Sequence, residues 1–250
     1  MDFVEVVARL RAAGCVFAED EARLLLGQPG DLAGMVERRV AGEPLEYILG
    51  WAEFAGRRFV VAPGVFVPRH RTELLVRLAV GFAQDKAVVL DLCCGSGALG
   101  ATVAAEVPGI ELHAADVEPA AVDCARQNVP GEVYKGDLYS PLPQRLRGRV
   151  DVLIANVPYV PTDDVALMPP EARDHEPRVA LDGGSDGLDV LRRVVAEAPA
   201  WLAPGGHVLF EASERQSAAA VAEVRRAGLA ASVEEDDELG ATVVVGLREH

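Results

Sequence analysis

Apolar residues recur at helical spacing through the first fifty positions. Val4, Val7, Ala8 and Leu10 form one group, Ala22, Leu25 and Leu26 a second, and Leu32, Met35, Val36 and Val40 a third. Gly27-Gln28-Pro29-Gly30 breaks the second group from the third. Helices this short do not stand alone, so residues 1–45 are expected to form a small helical appendage. The pattern then changes. Phe54, Phe59-Val60-Val61 and Val65-Phe66-Val67, punctuated by Gly56 and Pro63-Gly64, predict a β-hairpin linker over 46–71. Thr72–Phe82 returns to helical spacing, with Leu74, Leu75, Leu78 and Phe82 on one face.

From Ala87 onward, apolar strands alternate with amphipathic helices. The strands are Val88–Leu90, Glu111–Asp116, Val133-Tyr134, Val152–Ala155, His207–Glu211, Ala231–Val233 and Thr242–Leu247. The helices are Ala98–Glu106, Pro119–Asn128, Leu188–Ala198 and Ala218–Ala227. This alternation predicts an α/β, doubly wound, mostly parallel sheet over 72–250. The last two strands are joined only by the acidic turn Glu234–Glu238, too short for a crossover helix, so the final strand should run antiparallel.

Composition narrows the chemistry. The chain has 250 residues and 24 basic against 39 acidic ones, a formal net charge of −15. Phosphate neutralisation supplies much of the affinity of nucleic-acid binders, so this balance weighs against DNA or RNA as the substrate. No run of about 18 apolar residues is present, and the acidic start Met1-Asp2-Phe3-Val4-Glu5 lacks the layout of a secretory signal, so the expected location is cytoplasmic. Cys15, Cys93, Cys94 and Cys124 form no C-x-x-C pair and have no His at ligand spacing. Neither a metal site nor a disulfide framework is expected from them.

The first core strand runs into Asp91-Leu92-Cys93-Cys94-Gly95-Ser96-Gly97-Ala98-Leu99-Gly100, with Gly95, Gly97 and Gly100 in G-x-G-x-x-G spacing between strand and helix. Glycines let the backbone turn sharply and approach a ligand, and the helix start offers free N–H groups. A tight turn without a ligand, or a nicotinamide cofactor, also fits that motif. Asp91 at the strand end favours S-adenosylmethionine, because a carboxylate suits an ammonium or sulfonium group and repels a pyrophosphate. Asp116, ending the second strand, can accept two ribose hydroxyls. Asp137 can reach an adenine amine or cap a turn, and Leu138 can pack on the adenine ring.

The fourth strand ends in Asn156-Val157-Pro158-Tyr159. Ligands of doubly wound sheets sit at the carboxyl ends of strands, so this segment should lie beside the glycine loop. A planar amide nitrogen is a poor nucleophile that carries two N–H donors. The Asn156 side-chain oxygen and the Val157 carbonyl can accept both, aiming the nitrogen at a methyl group. Pro158 biases Val157 to an extended backbone, and Tyr159 can stack on the substrate plane. An ordinary strand-to-loop turn is the competing reading of these four residues. His175 reads as loop packing, Glu211 as a hydrogen-bonded structural acid, and Thr72 as a helix cap or part of a closure over the cofactor with Arg69 and Glu73.

With these residues in view, the chain resembles the release-factor glutamine methyltransferase family, whose signature at this point is Asn-Pro-Pro-Tyr. Gly42-Glu43-Pro44-Leu45-Glu46-Tyr47-Ile48-Leu49-Gly50 resembles the family's linker segment. Val67-Pro68-Arg69-His70-Arg71-Thr72-Glu73 resembles its Pro-Arg-x-x-Thr-Glu motif. The stretch from Arg173 to Gly184 resembles its Glu-Pro-x-x-Ala-Leu block, and Leu202–Gly206 with Glu211 and Gln216 its C-terminal part. The resemblance implies a seven-stranded Rossmann-like methyltransferase domain behind a helical, substrate-docking unit. It implies that Cys93, Cys94, Gly95, Ser96 and Gly97 form the cofactor loop, that Asp116 binds ribose, and that Leu138 and Asn156 border the cofactor. It also implies that Asn156, Val157, Pro158 and Tyr159 bind a glutamine of a protein partner, a peptide chain release factor. The chain departs from the family at Val157, where the signature has Pro, and at Cys93, where Gly is favoured. It also departs at His70-Arg71, where Pro plus an acid is usual, and in a shorter appendage. Two other classes fit parts of the pattern: a nucleic-acid adenine or guanine amino-methyltransferase, and a non-catalytic cofactor-binding regulator.

Overall fold

In the computed structural model, which describes Met1–His250, the N-terminal helical spacing becomes four short helices. They are α1 (Phe3–Ala12), α2 (Ala18–Leu26), α3 (Leu32–Val40) and α4 (Leu45–Leu49). Asp2 and Glu5 form a capping box that starts α1 at Phe3. From that start, Val6, Val7 and Leu10 face the neighbouring helices, and Val4 and Ala8, expected on the buried face, point to solvent. Those three residues join Ala18, Ala22, Leu25, Val36 and Ile48 in a small core of their own. Ile48 lies in α4, a helix formed inside the stretch expected to be β linker. Gly50, in the left-handed region at φ +77°, closes it.

The linker contains one hairpin, β1 (Trp51–Phe54) paired antiparallel with β2 (Arg57–Val60). Val65-Phe66-Val67 joins no sheet, contrary to the expected strand. Side chains from elsewhere satisfy its backbone: Tyr47 Oη donates to the Val65 carbonyl at 2.7 Å, and the Val67 N–H donates to Glu176 at 3.2 Å. Backbone groups met in this way need no strand partner.

The remaining elements are α5 (Glu73–Phe82), β3 (Val88–Leu92), α6 (Ala98–Glu106), β4 (Glu111–Asp116), α7 (Pro119–Asn128), β5 (Glu132–Lys135) and β6 (Val150–Ala155). After these come α8 (Pro170–His175), α9 (Asp189–Trp201), β7 (Leu202–Ala212), α10 (Glu214–Arg226), β8 (Ala230–Asp236) and β9 (Ala241–Leu247). They build a seven-stranded sheet in the order β5-β4-β3-β6-β7-β9-β8. Strands β3 to β7 are parallel, and β9 runs antiparallel to both β7 and β8 as the short connection required. Strand β8 continues through Asp236, so the turn begins later than the Glu234–Glu238 span expected.

Alternation along the strands splits the core. Leu90, Leu92, Leu153 and Phe210 pack on one face with Leu191, Val194 and Val224 of α9 and α10. Val89, Val152, Ile154 and Leu209 pack on the other with Leu75, Val103 and Ala125 of α5, α6 and α7. Each such Val, Leu, Ile or Phe side chain, fully buried, contributes about 1.5–3 kcal/mol, and together they fix the sheet at whose carboxyl edge the candidate site lies. No helix is long and apolar enough to cross a membrane.

Candidate active site

At the carboxyl edge of the sheet lies a cleft with about 1280 Å³ of empty space, part of it open to solvent. The loop after β3 forms its floor. Cys93, Cys94, Gly95 and Ser96 line it. Cys93 has φ +54°, a left-handed backbone for a non-glycine residue, and burial pushes its thiol pKa upward. A glycine at 93 would hold that conformation at less cost. At Gly95 an added Cβ would meet nothing nearer than the Phe66 carbonyl at 4.0 Å, so the missing side chain is space left open to the cleft.

Gly97 and Asp91, both expected to hold the cofactor, do not line the cleft. Gly97 has φ +78°, and an added Cβ would lie 2.4 Å from Val129 Cγ2, so this glycine serves the packing of α6 against α7. Asp91 is 1 % exposed and is not part of the wall, which corrects its expected place beside an ammonium or sulfonium group. The register that puts Leu90 and Leu92 toward α9 sends Asp91 to the opposite face, under α6. There its Oδ2 accepts the Gly100 N–H at 2.9 Å. Burial pushes its carboxyl pKa up to about 7.

Asp116, ending β4, stands in the wall. Its Oδ2 accepts the Gly95 N–H at 2.8 Å and its Oδ1 the Glu118 N–H at 2.9 Å, and burial raises its carboxyl pKa. Beyond β5, Leu138 lines the cleft with φ +48°. Asp137 also lines it, but its carboxylate caps no turn; Arg193 of α9 holds it at 2.6 Å.

The opposite wall is Asn156, Val157, Pro158 and Tyr159. The Asn156 side chain and the Val157 carbonyl make no hydrogen bond within the chain, and both residues line the cleft. The segment around them is held tightly. Val160 N–H donates to the Leu181 carbonyl, and Gln216 Nε2 donates to the Tyr159 carbonyl at 2.8 Å and to the Asp186 carbonyl at 2.9 Å. Glu211, 2 % exposed at the end of β7, accepts from Arg71 Nε at 2.8 Å, Tyr159 Oη at 2.9 Å and Thr72 Oγ1 at 2.6 Å. Thr72 is therefore no helix cap, because its hydroxyl is committed to Glu211. Arg71 also donates to the Tyr159 hydroxyl and lies 5.5 Å over its ring, so stacking on Tyr159 is left to the other face.

Sequence reasoning missed how these acids are partnered. Arg69 donates to both oxygens of Glu176 at 2.7 Å, Arg71 pairs with Glu211, and Arg193 pairs with Asp137. Every arginine of the wall thus faces a carboxylate, which leaves no free cation for a pyrophosphate. Nothing local announces these partners, which lie 107, 140 and 56 residues apart. His175 sits outside the cleft at the end of α8. The wall therefore offers an acid for a diol, an apolar face at Leu138, open space over Gly95, and two free acceptors at Asn156 and Val157. Those features fit S-adenosylmethionine together with an amide nitrogen.

Residues 56–168 match the methyltransferase small domain family. The release factor glutamine methyltransferase of Geobacter sulfurreducens is 39 % identical over 228 residues, covering 88 % of this chain and 79 % of that protein. The protein of the same name from Deinococcus radiodurans is 36 % identical, covering 93 % of this chain and 92 % of that one. Among solved structures, a methyltransferase from Pyrococcus furiosus superposes with a TM-score of 0.58 at 16 % identity, covering 77 % of this chain and 90 % of the other, a likeness of fold alone.

Proposed function

Since the chain belongs to the release factor glutamine methyltransferase family, we propose that its cleft brings a glutamine side chain of a peptide chain release factor to the methyl donor. The reaction is S-adenosylmethionine-dependent transfer to the side-chain amide nitrogen, N5, of that glutamine. When bound, S-adenosylmethionine supplies an electrophilic methyl on a sulfonium that leaves as a neutral thioether.

The chain's residues do the rest by position. Asp116 takes the ribose hydroxyls, and Leu138 and Asp137 border the adenine. Asn156 Oδ1 and the Val157 carbonyl accept the two N–H groups of the glutamine amide. Held so, the nitrogen presents its face to the methyl in near-attack geometry. The N–C bond forms as the S–C bond breaks, its electron pair stays on sulfur, and the nitrogen releases one proton to water. No strong base is required, in keeping with His175 lying outside the cleft. The carrying observation is the pair of unpartnered acceptors, Asn156 and Val157, on the wall opposite Asp116. In this reading the helices of residues 1–45 dock the protein partner and the enzyme works in the cytoplasm.

The test incubates the protein and labelled methyl donor with release factor, with its Gln→Ala variant at the Gly-Gly-Gln loop, and with RNA and DNA. Mass spectrometry of peptides then locates the added methyl. Label at that glutamine alone is the expected result. Label on nucleic acid with none on protein would transfer the enzyme to the amino-methylating class, and no turnover on any substrate would favour a non-catalytic regulator.

A further inference from the structure

From Val157 through Tyr159 the backbone makes a single hydrogen bond within the chain, and a side chain supplies it. Gln216 Nε2 donates to the Tyr159 carbonyl at 2.8 Å. The Val157 carbonyl, the acceptor proposed for the substrate amide, has no bond of its own to set its direction. Pro158, between the two, locks its own φ at about −65°. Fixing the Tyr159 carbonyl therefore leaves the Val157 carbonyl few orientations.

Gln216 is well suited to that task. It is 9 % exposed and sits in the first turn of α10. Its Oε1 accepts from the Ser213 N–H at 3.3 Å and the Ser213 hydroxyl at 2.6 Å. Its other amide hydrogen goes to the Asp186 carbonyl at 2.9 Å. A carboxamide has two donors and two acceptor sites, and all four are used. The surroundings are close. A Cβ added at Gly187 would lie 2.2 Å from both Gln216 Nε2 and the Tyr159 carbonyl oxygen, and one at Gly183 would lie 2.6 Å from the Pro158 carbonyl. The 183–187 turn thus presses backbone to backbone on Pro158 and Tyr159, and Gln216 joins the turn to the wall. Glu211 holds the Tyr159 hydroxyl, so the ring and the carbonyl of Tyr159 have separate anchors.

We propose that Gln216 is a positioning residue for the methyl transfer: through the Tyr159 carbonyl it aims the Val157 carbonyl at the amide of the incoming glutamine. The proposal rests on the protein-glutamine reading above and adds a residue that does not line the active cleft, so its effect passes through the backbone. Without Gln216 the Tyr159 and Asp186 carbonyls lose the donor they share, and the wall gains freedom. That lowers the fraction of near-attack geometry and leaves affinity for the methyl donor in place.

The experiment measures methylation of release factor at saturating substrates across pH. Calorimetry with S-adenosylhomocysteine counts the folded, cofactor-competent sites of each variant. Gln216→Met removes both donors and brings no charge. Its kcat per competent site is expected to fall about tenfold or more at every pH, with S-adenosylhomocysteine affinity within about threefold of the parent. Gln216→Glu keeps the two bonds from Ser213, because a capping box takes either residue. It also turns a carboxyl oxygen toward two carbonyls, and none of the partners of Gln216 is a cation. Ionised, the introduced carboxylate repels both carbonyls; protonated, it donates to one. Its kcat relative to the parent is therefore expected to rise severalfold from about pH 8 to about pH 5, whereas the ratio for Gln216→Met stays flat. A role in stability alone would lower the melting temperature and leave kcat per competent site unchanged. Parental kcat per competent site in Gln216→Met would overturn the proposal. So would a loss of kcat matched by a loss of S-adenosylhomocysteine affinity, or a Gln216→Glu ratio that does not move with pH. Where Gln216→Glu does not fold, Gln216→Met decides alone. A parent that puts no methyl on the glutamine removes the protein-glutamine reading and this role with it. A parent that does, beside variants of parental kcat, removes this role only.

Discussion

The two walls of the active cleft are built by different means. The wall proposed for the cofactor is local: Cys93 to Ser96 follow one strand, Asp116 ends the next, and the Gly95 N–H donates to the Asp116 carboxylate at 2.8 Å. The wall proposed for the target glutamine is assembled from far apart. Tyr159 is held by Glu211, 52 residues away, and Glu211 in turn by Arg71 and Thr72, 140 and 139 residues away. Backbone turns preform the first wall once β3 and β4 pair. The second exists only when β6, β7, α5 and α10 are all in place. Damage to the first should therefore show as lost cofactor affinity, and damage to the second as lost turnover with the cofactor still bound.

The sharpest test of that division is Asn156→Ala. It removes one of the two free acceptors, and turnover should fall by two or more orders of magnitude, the scale of lost positioning. Calorimetry should find cofactor binding within about threefold of the parent; loss of both together would erase the distinction between the walls. Glu211→Ala comes next. It strands the Thr72 and Tyr159 hydroxyls and half-exposed Arg71, at a cost of about 2–3 kcal/mol in denaturant unfolding. Turnover should drop about tenfold as Tyr159 loosens, and Glu211→Gln, which keeps one acceptor, should recover part of both.

A third test works on the cofactor side through pH. The Asp91 carboxyl titrates near 7 in the fold because burial disfavours its charge, against about 4 in the unfolded chain. Between those values the folded state holds a proton that the unfolded state has lost. Stability therefore falls as pH rises from about 4 to about 7 and stays reduced above. Asp91→Asn keeps an acceptor for Gly100 and should flatten that decline in thermal melts. An unchanged pH profile would contradict the buried placement under α6. The smallest effect belongs to Val157→Pro. Neither the N–H nor the carbonyl of Val157 is bonded within the chain, so the change should shift stability by under about 1 kcal/mol. Turnover should stay within about threefold in the same assay.

Legibility in the sequence followed the same line. Helices Ala98–Glu106 and Pro119–Asn128 and strand Glu111–Asp116 matched to the residue, because glycine at 97 and proline at 119 mark their ends locally. That Cys93 to Ser96, Asp116, Leu138 and Asn156–Tyr159 meet at one cleft was legible because each follows or ends a strand of a doubly wound sheet. Asp91 was misplaced because its neighbours' alternation, Leu90 and Leu92 on one face, was not carried through to it. The strand expected at Val65–Val67 failed because its bonding partners, Tyr47 and Glu176, are set by the tertiary fold. The ion pairs Arg69–Glu176 and Arg71–Glu211 had no local signal at all.

In the proposed role, the unbonded Val157 carbonyl also governs which molecules are turned away. A carbonyl accepts and never donates, so it welcomes an N–H and repels a lone pair. If a glutamine ages by deamidation, its side chain becomes a carboxylate with no hydrogen to offer. In this wall an oxygen would then face an oxygen, and the carbonyl would lose its water without replacement. Sites built on a donor reject its absence by about four orders of magnitude. A chemically aged substrate would thus be ignored, without any residue set aside for proofreading.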